Sequence, residues 1–454
     1  MSETLATQGR RLLLIELNEV NFDVARTYVD RLGLTAFGRL MAGCAIRTSA
    51  ESTYDELEPW IQWPSVHSGL TSAEHGVFRL GDIVGTQVPQ IFEQVEQMGL
   101  RVGCVSPMNT ENRLRAPEYF IPDPWTPTPT DGSWWSRKLT TAIAQAVNDN
   151  ARSRLTAKSA LKLALGLLRF ARPAHYRTYF HLATRSLGAP WRKALLLDLF
   201  LHDLHWRLFH AKAPDFSTVF FNAGAHIQHH YFFNSTAAGH EGPRNPPWYV
   251  AADVDPIAEM LQVYDRILAD YLALPGVDVL VATGLSQRPY DRVKFYYRLK
   301  EHSSFLRMLG VAHSTVLPRM TRDFLVQCET AAQAVEAEQR LSRVRVAGSG
   351  EPLFGAIDNR GNDLFVTMTY PHEIDAKLSI ELDGQSMALA PHVSFVAIKN
   401  GMHQSAGFAY FTPGIAPNAP SDGDHVKALH GTIMQFFGAG AAALGTGTEM
   451  APLG

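Results

Sequence analysis

The segment Arg11 to Asn18, RLLLIELN, constrains the fold of this chain more than any other stretch. A continuous apolar run of this kind has no water-facing side, so it belongs in a central parallel strand covered on both faces. Within it stands Glu16, and a carboxylate buried in such a strand needs a partner or a shifted pKa. A histidine, a metal ion or an arginine would serve. The run ends in Asn18-Glu19-Val20 before a helical pattern begins. Ligand-binding residues of open α/β sheets gather at such carboxyl ends of strands.

The β/α alternation then continues. The patterns predict a helix to about Met41, a strand around Ala45 to Ser49, a long loop through Trp63, a helix near Gln87 to Met98 and a strand at Val102 to Ser106. This rhythm predicts an α/β protein with a doubly wound, mostly parallel sheet. The core occupies 11–121, 215–297 and 393–437, with re-entry at Val393 to Ile398. Leu- and Arg-rich helical segments at 122–214 read as a helical insertion or cap, and alternating patterns at 298–392 as a small α+β subdomain. The Gly- and Ala-rich residues 438–454 read as a disordered tail.

Chemistry concentrates in two short stretches, His226-Ile227-Gln228-His229-His230 and Gly401-Met402-His403. On a helix following the strand pattern Ser217 to Asn222, His226 lies one turn from both His229 and His230. Four imidazoles therefore stand where metal ligands could converge at a strand end.

Composition narrows the partners. With 41 basic and 44 acidic residues and no long run of either sign, nothing points to a nucleic-acid polymer. Three scattered cysteines exclude a disulfide framework and a zinc knuckle, which suits a cytoplasmic setting. No stretch is apolar enough for a transmembrane segment. The basic amphipathic pattern Lys158 to Arg172 fits either packing within the insertion or peripheral contact with a membrane surface.

Four motifs resemble the alkaline-phosphatase superfamily, in particular its type I phosphodiesterase and nucleotide pyrophosphatase branch. They are Leu12 to Glu19, Gln62 to Gly69 with Glu74-His75-Gly76-Val77, Ala225 to His229, and Gly401-Met402-His403 through Pro413-Gly414-Ile415. The resemblance implies an alkaline-phosphatase-like sheet with metal ligands at strand ends, acting on phosphate- or sulfate-containing esters. This chain departs from the pattern at four places. Asn18 stands where the family has a metal-binding Asp, Pro59 about where it has its nucleophile, Ala225 for an Asp ligand, and Thr283-Gly284 for an Asp-His pair. A two-metal clamp is thereby lost, and one divalent ion, zinc, manganese or iron, remains compatible with the residues.

The site expectations follow. His226, His229, His403 and Glu16 are candidate metal ligands, while Glu58, His67, Asn18 and Glu19 are candidate catalytic groups. Trp60, Gln62 and His302 are candidate substrate contacts. Three functions fit: a hydrolase or transferase acting on a sugar- or nucleotide-linked ester through a remodelled mononuclear site; an inactive relative binding an anionic glycan or nucleotide in a biosynthetic assembly; and a redirected His/carboxylate iron enzyme.

Overall fold

The computed structural model describes residues 9–148, 156–239, 241–318 and 322–439. The predicted tail, from residue 440 onward, lies outside the described residues. In chain order the strands are β1 (Leu12–Leu17), β2 (Cys44–Thr48), β3 (Val102–Val105), β4 (Tyr119–Ile121), β5 (Phe216–Phe221), β6 (Asp278–Ala282) and β7 (Ser286–Leu299). Then follow β8 (Thr315–Pro318), β9 (Asp323–Gln327), β10 (Arg345–Val346), β11 (Asp358–Asn359), β12 (Asp363–Thr367), β13 (Ser379–Leu382), β14 (Gln385–Ala388), β15 (Val393–Gln404) and β16 (Gly407–Phe411).

The main sheet has the order β2-β16-β6-β1-β5-β3-β4. Within it β16 alone runs antiparallel to its neighbours. The apolar run sits at its centre, with every residue of β1 buried. Leu13, Ile15 and Leu17 pack into one layer with Leu199 and Ile267, while Leu12 and Leu14 pack into the other with Trp63, Phe92 and Ile433. Both faces are covered, so the sheet is doubly wound, and each leucine so buried contributes about 1.5–3 kcal/mol.

Residues 134–148 and 156–212 contribute a helical layer whose longest member, Trp191–Lys212, buries Leu195, Leu199 and Leu204 against the sheet. The small subdomain has its own core of Phe324, Val326, Leu364, Val366 and Ile380 beneath two antiparallel sheets, β11-β12-β9-β8 and β10-β13-β14.

Two sequence readings are corrected. Val393 to Ile398 does not re-enter the core; it opens β15, which pairs antiparallel with β7 in a two-stranded ribbon, and the core is rejoined only at β16. The burial of β15 is mixed along its length, unlike the fully buried β1, because it lies outside the main sheet. The loop expected through Trp63 is instead a helix, Pro59–Ser68. Pro64 inside it cannot serve the carbonyl of Trp60, and Asn109 Nδ2 donates to that oxygen at 2.8 Å. Gly69 ends the helix at φ 76°, where any Cβ would strike the His430 ring.

Candidate metal centre

Three donors meet beyond the tip of β1. Glu19 Oε2 lies 3.1 Å from His229 Nε2 and 2.9 Å from His403 Nε2, and those two nitrogens are 3.1 Å apart. Glu19 follows the central strand, His229 lies on the helix Ala223–Tyr231 after β5, and His403 lies near the end of β15. Glu19 adopts φ 60°, a left-handed conformation that costs a non-glycine residue about 1–2 kcal/mol. Gln228 holds this turn by donating to the Glu19 carbonyl at 2.8 Å while accepting from the Asn21 N–H at 3.0 Å. Gln287 Nε2 donates to Glu19 Oε2 at 2.5 Å. Close passage of β15 requires Gly401, since a Cβ there would overlap the Gln287 side chain and the Gln228 carbonyl.

Burial opposes ionisation of Glu19, but His403 and His229 hold its carboxyl well below the usual range. Burial and the nearby Lys399 charge lower His229 to about 4. His403 is raised: Glu19 and then Glu58 overcome its burial. Glu58 Oε2 stands 3.6 Å from His403 Nδ1, and burial pushes its carboxyl up to about 7.

The other candidates are placed elsewhere. His226 packs on His230, ring centroids 4.9 Å apart, because on a helix it lies about 40° around the axis from His230 and about 60° from His229. Glu16 and His67 face each other at 3.2 Å in the buried layer under the helix Pro59–Ser68, and His67 Nδ1 meets Thr110 at 3.1 Å. Glu16 also accepts from Thr218 at 2.5 Å, so this carboxylate has found a histidine and a hydroxyl. Trp60 and Gln62 donate to the carbonyls of Phe78 and Glu56. His302 packs edge-on against Phe324 in the small subdomain, lowered to about 4 by burial and Arg298.

Asn18 donates to Asn222 at 2.8 Å and accepts from the Trp63 indole at 2.9 Å. Trp63 also covers Gly284, where a Cβ would sit 3.3 Å from its ring, and Thr283 Oγ1 accepts from the Phe408 N–H. An indole therefore covers the strand tips where the resemblance implies a second metal.

Lys399 carries no sequence motif, yet its Nζ lies 2.6 Å from His229 Nδ1. It pairs across the ribbon with Lys294, and both feel the charge of Arg322, which lies 4.1 Å over the Tyr296 ring with a buried Nη1 that has no hydrogen-bond partner among the described residues. Burial lowers Lys399 to about 8.

The trio fits one divalent ion. Ligand atoms about 2.0–2.2 Å from such an ion stand about 2.8–3.1 Å from one another at right-angled positions and about 3.3–3.6 Å at tetrahedral ones, and two imidazoles with a carboxylate are donors zinc, manganese and iron accept. Ligation by His229 Nε2 leaves its Nδ1 hydrogen to be donated to Lys399 as a neutral amine.

No protein-family model matches the chain, and no curated protein matches it in sequence. Among solved structures it is similar to phosphonoacetate hydrolase from Sinorhizobium meliloti 1021 in complex with phosphonoformate, at 11% identity over 94% of this chain and 96% of that one, TM-score 0.41. It is similar to murine ectonucleotide pyrophosphatase/phosphodiesterase 5, at 8% identity over 95% and 96%, TM-score 0.39. A third is Thermus thermophilus alkaline phosphatase, at 13% identity over 94% and 91%, TM-score 0.40. Likeness this remote transfers no activity or ligand, since one fold hosts many chemistries.

Proposed function

We propose that this chain is an alkaline-phosphatase-like, metal-dependent hydrolase or transferase acting on a phosphate- or sulfate-containing ester, sugar- or nucleotide-linked, through one divalent ion. The observation that carries this reading is the convergence of Glu19, His229 and His403 within 3.1 Å of one another beside the strand tips. Bound there, the ion supplies Lewis acidity and lowers the pKa of water. Lys294 and Arg322 hold the anionic oxygens of the ester, while Lys399, neutral beside a ligating His229, keeps amine hydrogens to donate to them. Glu58, partly open to solvent, receives the proton of the attacking water or alcohol. Pro59 offers no hydroxyl where the family resemblance puts the nucleophile, so transfer proceeds without a covalent intermediate at that position.

The test combines elemental mass spectrometry of the purified protein with turnover of p-nitrophenyl phosphate, bis-p-nitrophenyl phosphate and p-nitrophenyl sulfate. The expected result is about one zinc, manganese or iron per chain, with metal and turnover lost together in His229→Ala. A metal-free protein inert towards all three esters overturns the proposal.

One observation favours a second reading, an inactive relative that binds an anionic glycan or nucleotide. A charged Lys399 would claim the Nδ1 lone pair of His229, leave the hydrogen on Nε2 and so prevent ligation. A redirected iron enzyme would use the same donors, since two histidines and one carboxylate are also a non-haem iron set. Iron content with oxygen consumption, and no ester turnover, would select it.

A further inference from the structure

Between Asn150 and Leu197 the sequence contains ten Lys and Arg residues and not one Asp or Glu, although the whole chain carries a net charge of -3. The described part of this stretch is also where large apolar side chains face water. The helix Ala157–Phe170 turns Leu161 (61% exposed), Leu165 and Leu168 (84%) outward along one face. Its inner side is already packed, with Gly166 so close to Leu139 and Phe200 that a Cβ would collide with both. The next helix, Tyr176–Thr184, exposes Tyr176 and Phe180 (72%), and the following turn exposes Leu187 (96%).

Arg172 and Arg192 are engaged by Asp270 and Glu259. Lys158, Arg169, Arg177 and Arg185 are exposed, Lys162 is half-buried, and none of the five pairs with a carboxylate among the described residues.

We propose that this face docks on a membrane surface rich in anionic lipid headgroups. Charge complementarity selects that occupant. A second copy of the chain would oppose the same unpaired cations, and like charges brought together repel. A nucleic acid would match the cations but give Leu168, Phe180 and Leu187 no apolar counterpart. An anionic lipid surface answers both features: an amphipathic helix lying in the interface buries its apolar row about 5–10 Å deep while its Lys and Arg reach the headgroups. No helix among the described residues is long and apolar enough to cross a membrane, so the contact is peripheral.

The test is co-sedimentation of the full chain with vesicles of phosphatidylcholine alone and of phosphatidylcholine mixed with phosphatidylserine. Binding is expected only to the mixed vesicles, falling as salt rises. Neutralising Lys158, Lys162 and Arg169 to Gln should weaken it by about a hundredfold, each charge contributing about fivefold. Leu161→Ser with Leu168→Ser and Phe180→Ser should abolish it, and because all three are exposed the thermal midpoint should not move. Equal binding to both vesicles, no binding to either, or variants that bind like the parent would overturn the proposal. So would a concentration-dependent dimer dissolved by Leu168→Ser, which would assign the face to a second copy.

Discussion

The described residues hold two clusters of two histidines and one carboxylate. Glu19, His229 and His403 lie past the strand tips; Asp270, His175 and His202 lie between the helical layer and the helix Pro256–Leu272. Their donor sets are alike and their surroundings are not. Asp270 accepts a hydrogen bond from Arg172 Nη1, which also lies 3.2 Å from His202 Nε2, and Asp203 takes the other nitrogen of His175 at 2.7 Å. A guanidinium already stands where an ion would, and the cluster is closed. At Glu19 the nearby cation, Lys399, stands behind His229 on Nδ1, and the side where the three donors meet is left to another group. Donor types alone therefore do not define a metal site; the position of the local positive charge decides.

The sharpest way to break this contrast is to remove donors from each cluster. His229→Ala with His403→Ala should lower bound metal below a tenth and turnover by about a thousandfold or more, whereas His202→Ala should leave metal content unchanged. Equal loss in both variants, read by elemental mass spectrometry, would erase the distinction.

Stability should respond in the opposite sense. Asp270→Ala strands Arg172 and His175 without their shared carboxylate and should cost about 3 kcal/mol, the low end for a broken buried pair because Asp270 is partly exposed. Urea denaturation reads this. Turnover per folded molecule should stay at the parent value.

The closed cluster also predicts a pH dependence. Burial lowers the His175 imidazolium, but hydrogen bonds to Asp203 and Asp270 outweigh it and raise the pKa to about 9. A folded pKa above the unfolded value stabilises fully below about 6.5 and is lost as pH rises towards 9, a loss of up to about 3 kcal/mol. Burial lowers His202 and opposes ionisation of Asp270, but hydrogen bonds from His175, His202 and Arg172 outweigh it and hold Asp270 well below the usual carboxylate range, so neither changes charge in the folded state over that window. His175→Gln should flatten the slope. An unchanged slope would show that the network does not bind this proton.

The smallest expected effect sharpens the role of Lys399. Lys399→Met should tighten divalent binding by about tenfold by removing a neighbouring cation, measured by isothermal titration. Unchanged affinity would mean that the lysine is already neutral beside His229.

Much of this is legible in the sequence. The unbroken run of β1 announces a central parallel strand, and the His226 to His230 cluster and Gly401-Met402-His403 mark where two of the donors lie. Glu19 is legible as a polar strand-tip residue, but its turn towards the two histidines depends on a left-handed φ that a Glu rarely adopts. Helical spacing gathers His226 with both later histidines; only the packing of the helix against β15 separates His229 from the other two. Lys399 is hidden most thoroughly. Its nearness to His229 depends on the register of β15 against β7, and no local pattern encodes the pairing of strands a hundred residues apart in the chain.

The positions of the three donors have one more consequence. Glu19, His229 and His403 are drawn from widely separated parts of the chain, the two histidines alone being 174 residues apart. Contacts so distant in sequence close late in folding. During synthesis a chain halted before β15 would hold two of the donors and lack the third. Capture of an ion there would act as a proofreading step, reporting that the sheet, the ribbon and the strand completing it have all reached their places.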